Sequence, residues 1–377
     1  MRTELFESFF LGGFESSTHR LRSGRRLDEI DATRHDRFVT QDYLRLQAQG
    51  ISTARDGLRW HLIEHAPGQY DFSSVLPMIE ASRVTRTQII WDLCHYGWPD
   101  GLDIFKPAFI ESFRRFTRAF GQLWKAETDD VLYVTPINEI SFFAWASGQV
   151  AVLNPFKRRR GNELKEQLVR ASIAAIEELW AIDSRTRITL IDPLINVVPK
   201  DPNSRHQIKG AEAYRMAQFE AWDMLGGRLK PQLGGDAKYL DLIGGNYYVH
   251  NQWVYRGSFI TQHDPRYRPF REMLSELYQR YGRPIFVAET GIEDDLRPSW
   301  FRYVCDEVFA AIQAGVPVGG ICLYPIVNHP GWDDERHCHN GLWDYADETG
   351  ERVIYQPLAD ELQKQRSRFA ALARNES

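Results

Sequence analysis

Short apolar runs alternate with amphipathic segments along the whole chain. The runs are rich in β-branched and aromatic residues and are mostly continuous, a pattern typical of parallel strands that are buried on both faces. Eight such strands are predicted, over residues 9–13, 51–56, 87–94, 131–137, 187–192, 239–248, 284–288 and 319–324.

The segments between these runs carry the periodicity of helices that bury one face. Phe109, Phe113, Phe116 and Phe120 recur at spacings of four, three and four residues, which places them on one side of a helix. Leucines and alanines form a similar stripe over residues 164–179. We interpret both stripes as core contacts. Further helices are predicted over residues 37–49, 73–83, 204–224, 266–281, 299–314 and 357–372.

This alternation of strand and helix has no break in composition and no linker. It predicts an α/β protein with one domain over residues 1–377, built as a (β/α)₈ TIM barrel. A doubly wound sheet is the alternative, but its usual nucleotide ligand requires a Gly-rich first turn, and Gly12-Gly13 is not a G-x-G-x-x-G sequence. In a barrel, catalytic residues lie at the carboxyl ends of the strands.

Two of the apolar runs end in a glutamate. Glu139 follows Asn138 after the fourth predicted strand, and Glu289 follows the seventh. A buried strand that delivers a carboxylate at its end is hard to explain by packing, although a structural ion pair at the barrel mouth is an alternative. The ends of the other strands supply further polar and aromatic candidates, which are Glu15, His19, Arg55, His95, Asn246, Tyr248, Tyr324 and Trp332.

Paired carboxylates from different strands match the needs of glycoside hydrolysis. One carboxyl group must be protonated to give a proton to the leaving oxygen, and the other must be ionised to attack the anomeric carbon. A nearby guanidinium favours the charged form, whereas burial and a second negative charge disfavour it. Arg55 would therefore keep Glu289 ionised as the nucleophile, and Glu139 would act as the acid. The 11 tryptophans suit a sugar ligand, whose C–H faces stack on aromatic rings.

Composition excludes several other classes of function. The net charge of −5 and the pI of about 6.2 favour neither nucleic acid nor an anionic membrane as a partner. Four scattered cysteines argue against a disulfide framework and a structural zinc site. The first residues lack a signal peptide pattern, and no apolar run approaches the ~20 residues that span a bilayer, so a cytoplasmic location is expected.

The stretch 333–339, Asp-Asp-Glu-Arg-His-Cys-His, resembles a metal cluster at first sight. Its His-x-His and scattered acids lack the spacing of a metalloenzyme, so we interpret it as a solvated loop after the last strand. In that interpretation Trp332 or His337 contributes to the sugar site. Neither a metal nor another cofactor is predicted, and the sequence does not specify an oligomeric state.

These residues resemble the motifs of glycoside hydrolases of clan A, most closely the family 1 β-glycosidases, over nearly the whole chain. Residues 135–139, Thr-Pro-Ile-Asn-Glu, resemble the Thr-x-Asn-Glu-Pro acid/base motif of that family. Residues 288–291, Ala-Glu-Thr-Gly, resemble its Thr-Glu-Asn-Gly nucleophile motif. Arg55 matches the arginine that pairs with the nucleophile, His95-Tyr96 matches a His-Trp pair that touches the sugar, and residues 246–248 match an Asn-Tyr-Tyr motif.

The chain departs from this family at positions that contact the sugar. Ile140 replaces the motif's proline, and Arg20, with His19 beside it, stands where the family has a sugar-binding glutamine. After the last strand, Tyr324 and Trp332 replace the family's Trp and Glu-Trp contacts. Hydrogen bonds to hydroxyls dominate sugar discrimination, so the sugar preference is less defined than the chemistry.

The resemblance implies a retaining O-glycosyl hydrolase, similar to β-glucosidases and β-galactosidases, that acts on a small carbohydrate through Glu139 and Glu289. A catalytically silent carbohydrate-binding barrel and a transglycosylase with the same residues are the alternatives. Exo or endo cleavage and the linkage stay open. The residues expected to bind the substrate are Glu15, His19, Arg55, His95, Asn138, Asn246, Tyr248, Tyr324 and Trp332.

Overall fold

A closed barrel of parallel strands forms the centre of the computed structural model, which describes residue 3 and residues 5–375, with side chains as far as residue 372. Within that part of the chain, the eight barrel strands pair in chain order, and the last closes on the first with Phe10 opposite Ile321. The strands are β1 (Phe10–Gly13), β2 (Thr53–Gly57), β3 (Gln88–Asp92), β4 (Tyr133–Thr135), β5 (Arg187–Pro193), β6 (Leu242–Asn246), β7 (Ile285–Thr290) and β8 (Val318–Leu323).

A long helix follows each strand and covers the outside of the barrel. Each of these helices overlaps a segment whose periodicity predicts it. They are α1 (His35–Ala48), α2 (Leu76–Thr85), α3 (Pro107–Glu127), α4 (Gly161–Ile182), α5 (Arg205–Met216), α6 (Phe270–Tyr281), α7 (Arg297–Gln313) and α8 (Gln356–Asn375). The predicted (β/α)₈ TIM barrel is therefore confirmed. The predicted 1–377 domain and the N-terminal stretch without a signal peptide pattern reach partly outside the described residues.

Shorter elements lie in the connections. Apart from Ala217–Phe219 and Glu220–Leu225, which fall in the predicted helix over residues 204–224, they were not predicted, because they are too short to show a period. Two small sheets pair Glu64–Ala66 with Gln69–Tyr70 and Asn196–Val198 with Gln252–Val254, and the second sheet joins the loops after β5 and β6. The short α-helical and π-helical segments are Glu29–Ala32, Trp60–Ile63, Ile140–Phe143, Ala144–Gln149 and Glu220–Leu225. The 3₁₀ turns are Ala217–Phe219, Pro231–Leu233, Ala237–Tyr239 and Asp294–Leu296.

The core has two layers. Between barrel and helices, the four phenylalanines of the α3 stripe are fully buried, as their spacing predicts. Phe109, Phe113 and Phe116 pack around Trp60, and Phe120 packs against Trp91. Inside the barrel, a separate cluster of apolar side chains fills the lumen, with Phe6 toward one end and Tyr324 among its members. A filled lumen means that a ligand can enter only at the mouth of the barrel, where the strands end.

Over residue 3 and residues 5–375, no helix combines the length and the apolar character that crossing a membrane requires. The cysteines of this part of the chain, Cys94, Cys305, Cys322 and Cys338, are all buried and free.

Candidate active site

A large cavity opens at the carboxyl ends of the barrel strands. Its volume is about 1440 Å³, larger than the roughly 300–1,000 Å³ of sites that hold drug-sized ligands. Both glutamates face it and are almost fully buried, with 7% of Glu139 and 5% of Glu289 exposed. The side chains around them at the cavity surface include Glu15, His95, Tyr96, Tyr248, Tyr324, His329 and Trp332.

Glu289 lies near the end of β7 and accepts a hydrogen bond on each carboxylate oxygen. Arg55 Nη1 donates to Oε1 at 2.9 Å, and the Tyr248 hydroxyl donates to Oε2 at 2.8 Å. One donor is a cation and the other a neutral hydroxyl, and together they fix the position of both carboxylate oxygens. The arrangement suits a carboxylate that acts as a nucleophile.

Arg55, at the centre of β2, has no exposed surface and connects three polar partners besides the Glu289 carboxylate. Its Nη2 donates to Asp92 Oδ2 at 2.6 Å and to Asn138 Oδ1 at 3.1 Å, and its Nη1 also donates to the carbonyl of Ala288 at 2.9 Å. Burial opposes the charge, but Asp92 and Glu289 outweigh it and hold the pKa of Arg55 well above its usual range. The guanidinium is therefore a permanent cation below the cavity.

Glu139 follows β4 in a left-handed backbone conformation, with φ of 48°. Asn246 Nδ2 donates to Oε1 at 2.7 Å, and the Tyr96 hydroxyl donates to Oε2 at 2.5 Å. Burial, and next the negative charge of Glu289, raise the pKa of Glu139 to about 8. Because its donors are neutral, Glu139 can hold a proton at neutral pH, as a general acid must.

Asn138 and His95 extend this set of hydrogen bonds toward the first strand. Asn138 Nδ2 lies 3.0 Å from His95 Nε2 and donates to the Tyr96 hydroxyl oxygen at 3.2 Å. His95 Nδ1 lies 3.0 Å from Asp92 Oδ2. Burial opposes the charge on the imidazole, but Glu15 and Asp92 outweigh it and raise the pKa of His95.

The residues after β1 divide between the cavity and its surroundings. Glu15 lines the cavity and accepts a hydrogen bond from the Ser17 backbone N–H at 2.9 Å. Its pKa is lowered, because nearby histidines, His95 first, outweigh the effect of burial. His19 is buried beside Trp332, with Nε2 3.2 Å from that residue's carbonyl, and does not line the cavity. Arg20 bonds to Asp100 at the surface, so Glu15 is the residue of these three that lines the cavity.

Two aromatic residues after β8 complete this side of the site. The Tyr324 ring stacks on His95 with ring centres 6.2 Å apart, and its hydroxyl donates to the carbonyl of Phe14 at 3.3 Å. The half-buried Trp332 packs edge-on against Tyr96 at 5.4 Å. Both residues line the cavity, but Tyr324 is only 2% exposed, so Trp332 is the ring of this pair on which a sugar's C–H groups can stack.

The structure thus brings all the predicted site residues to one end of the barrel but gives them different places. Glu15, His95, Tyr248, Tyr324 and Trp332 line the cavity beside the two glutamates. Arg55, Asn138 and Asn246 have no exposed surface and bond to the glutamates or to their partners. For these three, the contacts in the structure are with the glutamates or with the residues that bond to the glutamates, rather than with the cavity.

Sequence reasoning missed Asp92, and it did not predict the contacts that Tyr96 and His329 make in the site. Asp92 is the last residue of β3, so a systematic reading of strand ends would have found it. Tyr96 lies in the loop after β3, and its direction depends on a backbone φ of 60° that the sequence does not signal. His329 lines the cavity with Nδ1 3.6 Å from Oε1 of the fully buried Glu29, and burial raises the pKa of that glutamate to about 7.

The loop after β8 contains one group of side chains that could hold a cation. The candidate ligand atoms of His337, His339 and Asp344 lie within 4.8 Å of one another. Asp344 Oδ1 lies 2.7 Å from His337 Nε2, and it accepts hydrogen bonds from Asn328 Nδ2 at 3.0 Å and from the Tyr345 backbone N–H at 2.8 Å. These partners already satisfy that oxygen, which is why we interpret the group as a polar contact of the loop.

Comparison with known proteins finds similarity in structure. No protein-family model matches the sequence, and neither does any curated protein. A β-glucosidase from Thermotoga maritima in complex with glucoimidazole superposes with a TM-score of 0.78 at 15% identity, covering 96% of this chain and 98% of that one. A family 1 β-glucosidase structure from the same organism gives 0.77 at 14% identity, covering 95% and 98%. The AHE enzyme from Alicyclobacillus herbarius gives 0.74 at 16% identity, covering 89% and 87%.

The protein therefore shares the (β/α)₈ barrel fold of these structures. Family 1 β-glucosidases are among its structural neighbours, as the motifs predict. At identities of 14–16% the likeness concerns the fold.

Proposed function

We propose that this protein is a retaining β-glycosidase that hydrolyses a small carbohydrate substrate with Glu289 as the nucleophile and Glu139 as the acid/base. The observation that carries the proposal is the unequal environment of the two glutamates in one cavity. Glu289 is bonded to the buried Arg55 cation, whereas burial and Glu289 raise the pKa of Glu139 to about 8. Two titratable groups with environments this different are suited to opposite roles.

The first chemical step forms a bond between a Glu289 oxygen and the anomeric carbon. The bond from that carbon to the aglycone oxygen breaks, and the aglycone oxygen takes the proton of Glu139. In the second step Glu139 removes a proton from water, and the water oxygen attacks the same carbon. Glu289 leaves as a carboxylate and Glu139 is protonated again, so both residues return to their starting states.

The change of role at Glu139 follows from electrostatics. In the free enzyme the charge of Glu289 helps to raise the pKa of Glu139. That charge is neutralised when Glu289 becomes an ester in the glycosyl-enzyme. The pKa of Glu139 then falls, and the group becomes ionised when the second step needs a base.

Two other functions use the same site. A catalytically silent carbohydrate-binding barrel is the first, because Arg20, Tyr324 and Trp332 stand where the resembling family has other sugar contacts. A transglycosylase is the second, and it would transfer the glycosyl group to a sugar instead of water. Release of aglycone from aryl β-glycosides excludes the silent barrel, and product analysis with an added sugar acceptor separates hydrolysis from transfer.

Single variants of the two glutamates test the proposal. Glu289→Ala should abolish turnover of every substrate, because no nucleophile remains. Glu139→Ala should lower kcat/KM by about 10²–10⁴-fold for aryl β-glycosides with poor leaving groups, the usual contribution of general acid catalysis. Substrates with excellent leaving groups should still form the glycosyl-enzyme, and added azide should restore turnover as the β-glycosyl azide.

Glu64→Gln is the matched control, because Glu64 is also a buried glutamate but bonds to Trp60 and Ser112 away from the cavity. We expect wild-type kinetics for it. Wild-type rates for both Glu139→Ala and Glu289→Ala would exclude these residues as the catalytic pair. A first product with inverted anomeric configuration, observed by NMR, would exclude the double displacement.

A further inference from the structure

The Tyr96 hydroxyl links the two glutamates to each other. On the basis of the proposed glycosidase function, we propose that Tyr96 is a positioning residue that aims the Glu139 carboxyl group for proton transfer. Through Asn138 it also joins that group in one chain of hydrogen bonds to Arg55 and the nucleophile. The loop after β3 would then contribute to the acid/base chemistry as well as to the wall of the cavity.

The chain of hydrogen bonds starts at the Arg55 guanidinium. Its Nη1 donates to Glu289 Oε1 at 2.9 Å, and its Nη2 donates to Asn138 Oδ1 at 3.1 Å. Asn138 Nδ2 then donates to the Tyr96 hydroxyl oxygen at 3.2 Å, and the Tyr96 hydroxyl donates to Glu139 Oε2 at 2.5 Å. Because the hydroxyl has a single proton and its oxygen already accepts from Asn138, that proton points at Glu139.

Packing holds the Tyr96 ring in this direction. The side chain is 1% exposed, and its ring centre lies 5.3 Å from that of Phe143, 5.9 Å from that of Phe142 and 5.4 Å from that of Trp332. Each of these contacts is edge-on, the arrangement that aromatic pairs favour. The hydroxyl therefore has little freedom to leave the carboxyl group.

Both partners of the short hydrogen bond have unusual backbone conformations. Tyr96 has φ of 60° and Glu139 has φ of 48°, in the left-handed region that residues with a side chain rarely adopt. Such conformations persist only where the surrounding structure imposes them, and they cluster at functional sites. Here they turn two loop residues toward each other from neighbouring strands, β3 and β4.

The bond has a defined effect on catalysis. A hydroxyl that donates to a carboxylate stabilises the charged form, so Tyr96 lowers the pKa that burial and Glu289 raise. It therefore makes Glu139 a stronger acid in the first step. It also fixes the position of Oε2, and this orients the Glu139 carboxyl group for donating its proton to the leaving oxygen. Loss of the hydroxyl should weaken proton donation specifically.

The test compares Tyr96→Phe with the wild type on aryl β-glycosides of graded leaving-group acidity, with kcat/KM measured across pH. The alkaline limb should move up by about one pH unit, as expected for loss of one hydrogen bond to a charged group. For poor leaving groups kcat/KM near neutral pH should fall about ten- to hundredfold, which corresponds to the free energy of one hydrogen bond to a charged group. For dinitrophenyl glycosides it should stay near the wild-type value, because they leave without a proton.

Tyr43→Phe is the matched control. Tyr43 is fully buried and its hydroxyl also donates to a carboxylate, Asp56 Oδ2 at 2.8 Å, but neither residue lines the cavity. This variant should keep the alkaline limb and the leaving-group dependence of the wild type. Tyr96→Leu, which also lacks the hydroxyl and any other side-chain donor, should behave as Tyr96→Phe does and replaces it if that variant does not fold.

An unchanged alkaline limb together with an equal loss of rate for all leaving groups would overturn the positioning role, since that result describes packing alone. Wild-type protein that releases no aglycone from any aryl β-glycoside would instead overturn the glycosidase function, and the role of Tyr96 with it.

Discussion

At the scale of single residues, the Arg55 guanidinium determines the charge pattern of the site. It is fully buried, yet its terminal nitrogens reach Glu289, Asp92 and Asn138. A buried cation is expensive unless its partners are close and well oriented, and the two acidic partners meet that condition. Burial would raise the pKa of Asp92, but Arg55 outweighs it and lowers that pKa, and the same cation bonds to Glu289 in the cavity, so structure and function at this point depend on each other.

Arg55→Met is expected to damage both stability and activity. It leaves Asp92 and Glu289 buried without their cation, and breaking a buried ion pair in this way costs about 3–5 kcal/mol. The free energy of unfolding, measured with denaturant, should fall by that order, and hydrolysis of aryl β-glycosides should be lost. Arg83→Met removes an exposed pair with Glu80 and should cost at most about 1 kcal/mol without loss of activity. Equal stability of the two variants would contradict the assignment of Arg55.

The sequence predicts the site residues that end a strand or match a motif, and it misses those that a loop presents. Glu139, Glu289 and Arg55 are visible because each lies at a defined point of a buried strand. The role of Tyr96 beside Glu139 is not visible in the sequence, because the contact between the two residues depends on the left-handed backbone at both of them. For Arg20 the alignment with a motif misleads, since an ion pair with Asp100 takes the side chain to the surface.

At the scale of secondary-structure elements, a buried histidine ties the start of the barrel to its end. The His35 ring, at the start of α1, stacks on Phe14 after β1 at 3.7 Å. Its nitrogens lie 2.8 Å from Asp42 in α1 and 2.8 Å from Asp56 in β2, and Arg352, before α8, donates to Asp42. Burial opposes the charge on the imidazole, but Asp56 and Asp42 outweigh it and raise the pKa of His35 to about 9.

This cluster should make stability depend on pH in a specific direction. Because the folded-state pKa of His35 is above its ordinary 6.5, the stabilisation that the charged imidazole gives to the fold is complete below pH 6.5 and is lost as pH rises through 9. The free energy of unfolding of the wild type relative to His35→Gln should therefore fall by about 3 kcal/mol between these pH values. Denaturant unfolding at a series of pH values measures it.

His206→Gln is the control, because His206 is an exposed histidine of α5. Its stability relative to the wild type should be independent of pH in this range. If the difference in the free energy of unfolding between the wild type and His35→Gln is also independent of pH, the imidazole is neutral in the folded protein, and the assignment of ion pairs to His35 is wrong.

The elements themselves are predictable where burial imposes a pattern. The strands are continuous apolar runs because helices cover one face and the filled lumen the other. The predicted helix over residues 204–224 breaks at Ala217–Phe219, where the Gln218 side chain bonds to the backbone N–H and carbonyl of Ile195 in the loop after β5. Periodicity along one segment does not register a contact with another, so this break was not predicted.

At the scale of the whole molecule, the alternation of strand and helix predicts the barrel, and the loops determine the cavity. Neighbours with 14–16% identity share the fold because many sequences satisfy the same pattern of burial. The extent of the cavity could not be predicted, since it depends on aromatic residues that distant loops bring together. These include Trp145, Tyr214, Trp253 and Phe259.

The central claim is that Glu289 forms a covalent bond with the sugar. In a 2-deoxy-2-fluoro-β-glycoside the fluorine slows both chemical steps, and a dinitrophenyl leaving group restores the rate of the first step only. The glycosyl-enzyme therefore accumulates. Glucosyl and galactosyl forms of the reagent cover the expected sugars. Intact mass and peptide mapping measure the adduct and its position.

We expect inactivation with release of one dinitrophenolate per chain, and one fluoroglycosyl group attached to Glu289 in the peptide that carries residues 285–290. The Tyr43→Phe variant should be labelled in the same way, and Glu289→Ala should not be labelled. A label on Glu139 or on any other residue would contradict the account. Steady hydrolysis of aryl β-glycosides by a protein that forms no adduct with the fluoroglycoside reagents would contradict it as well.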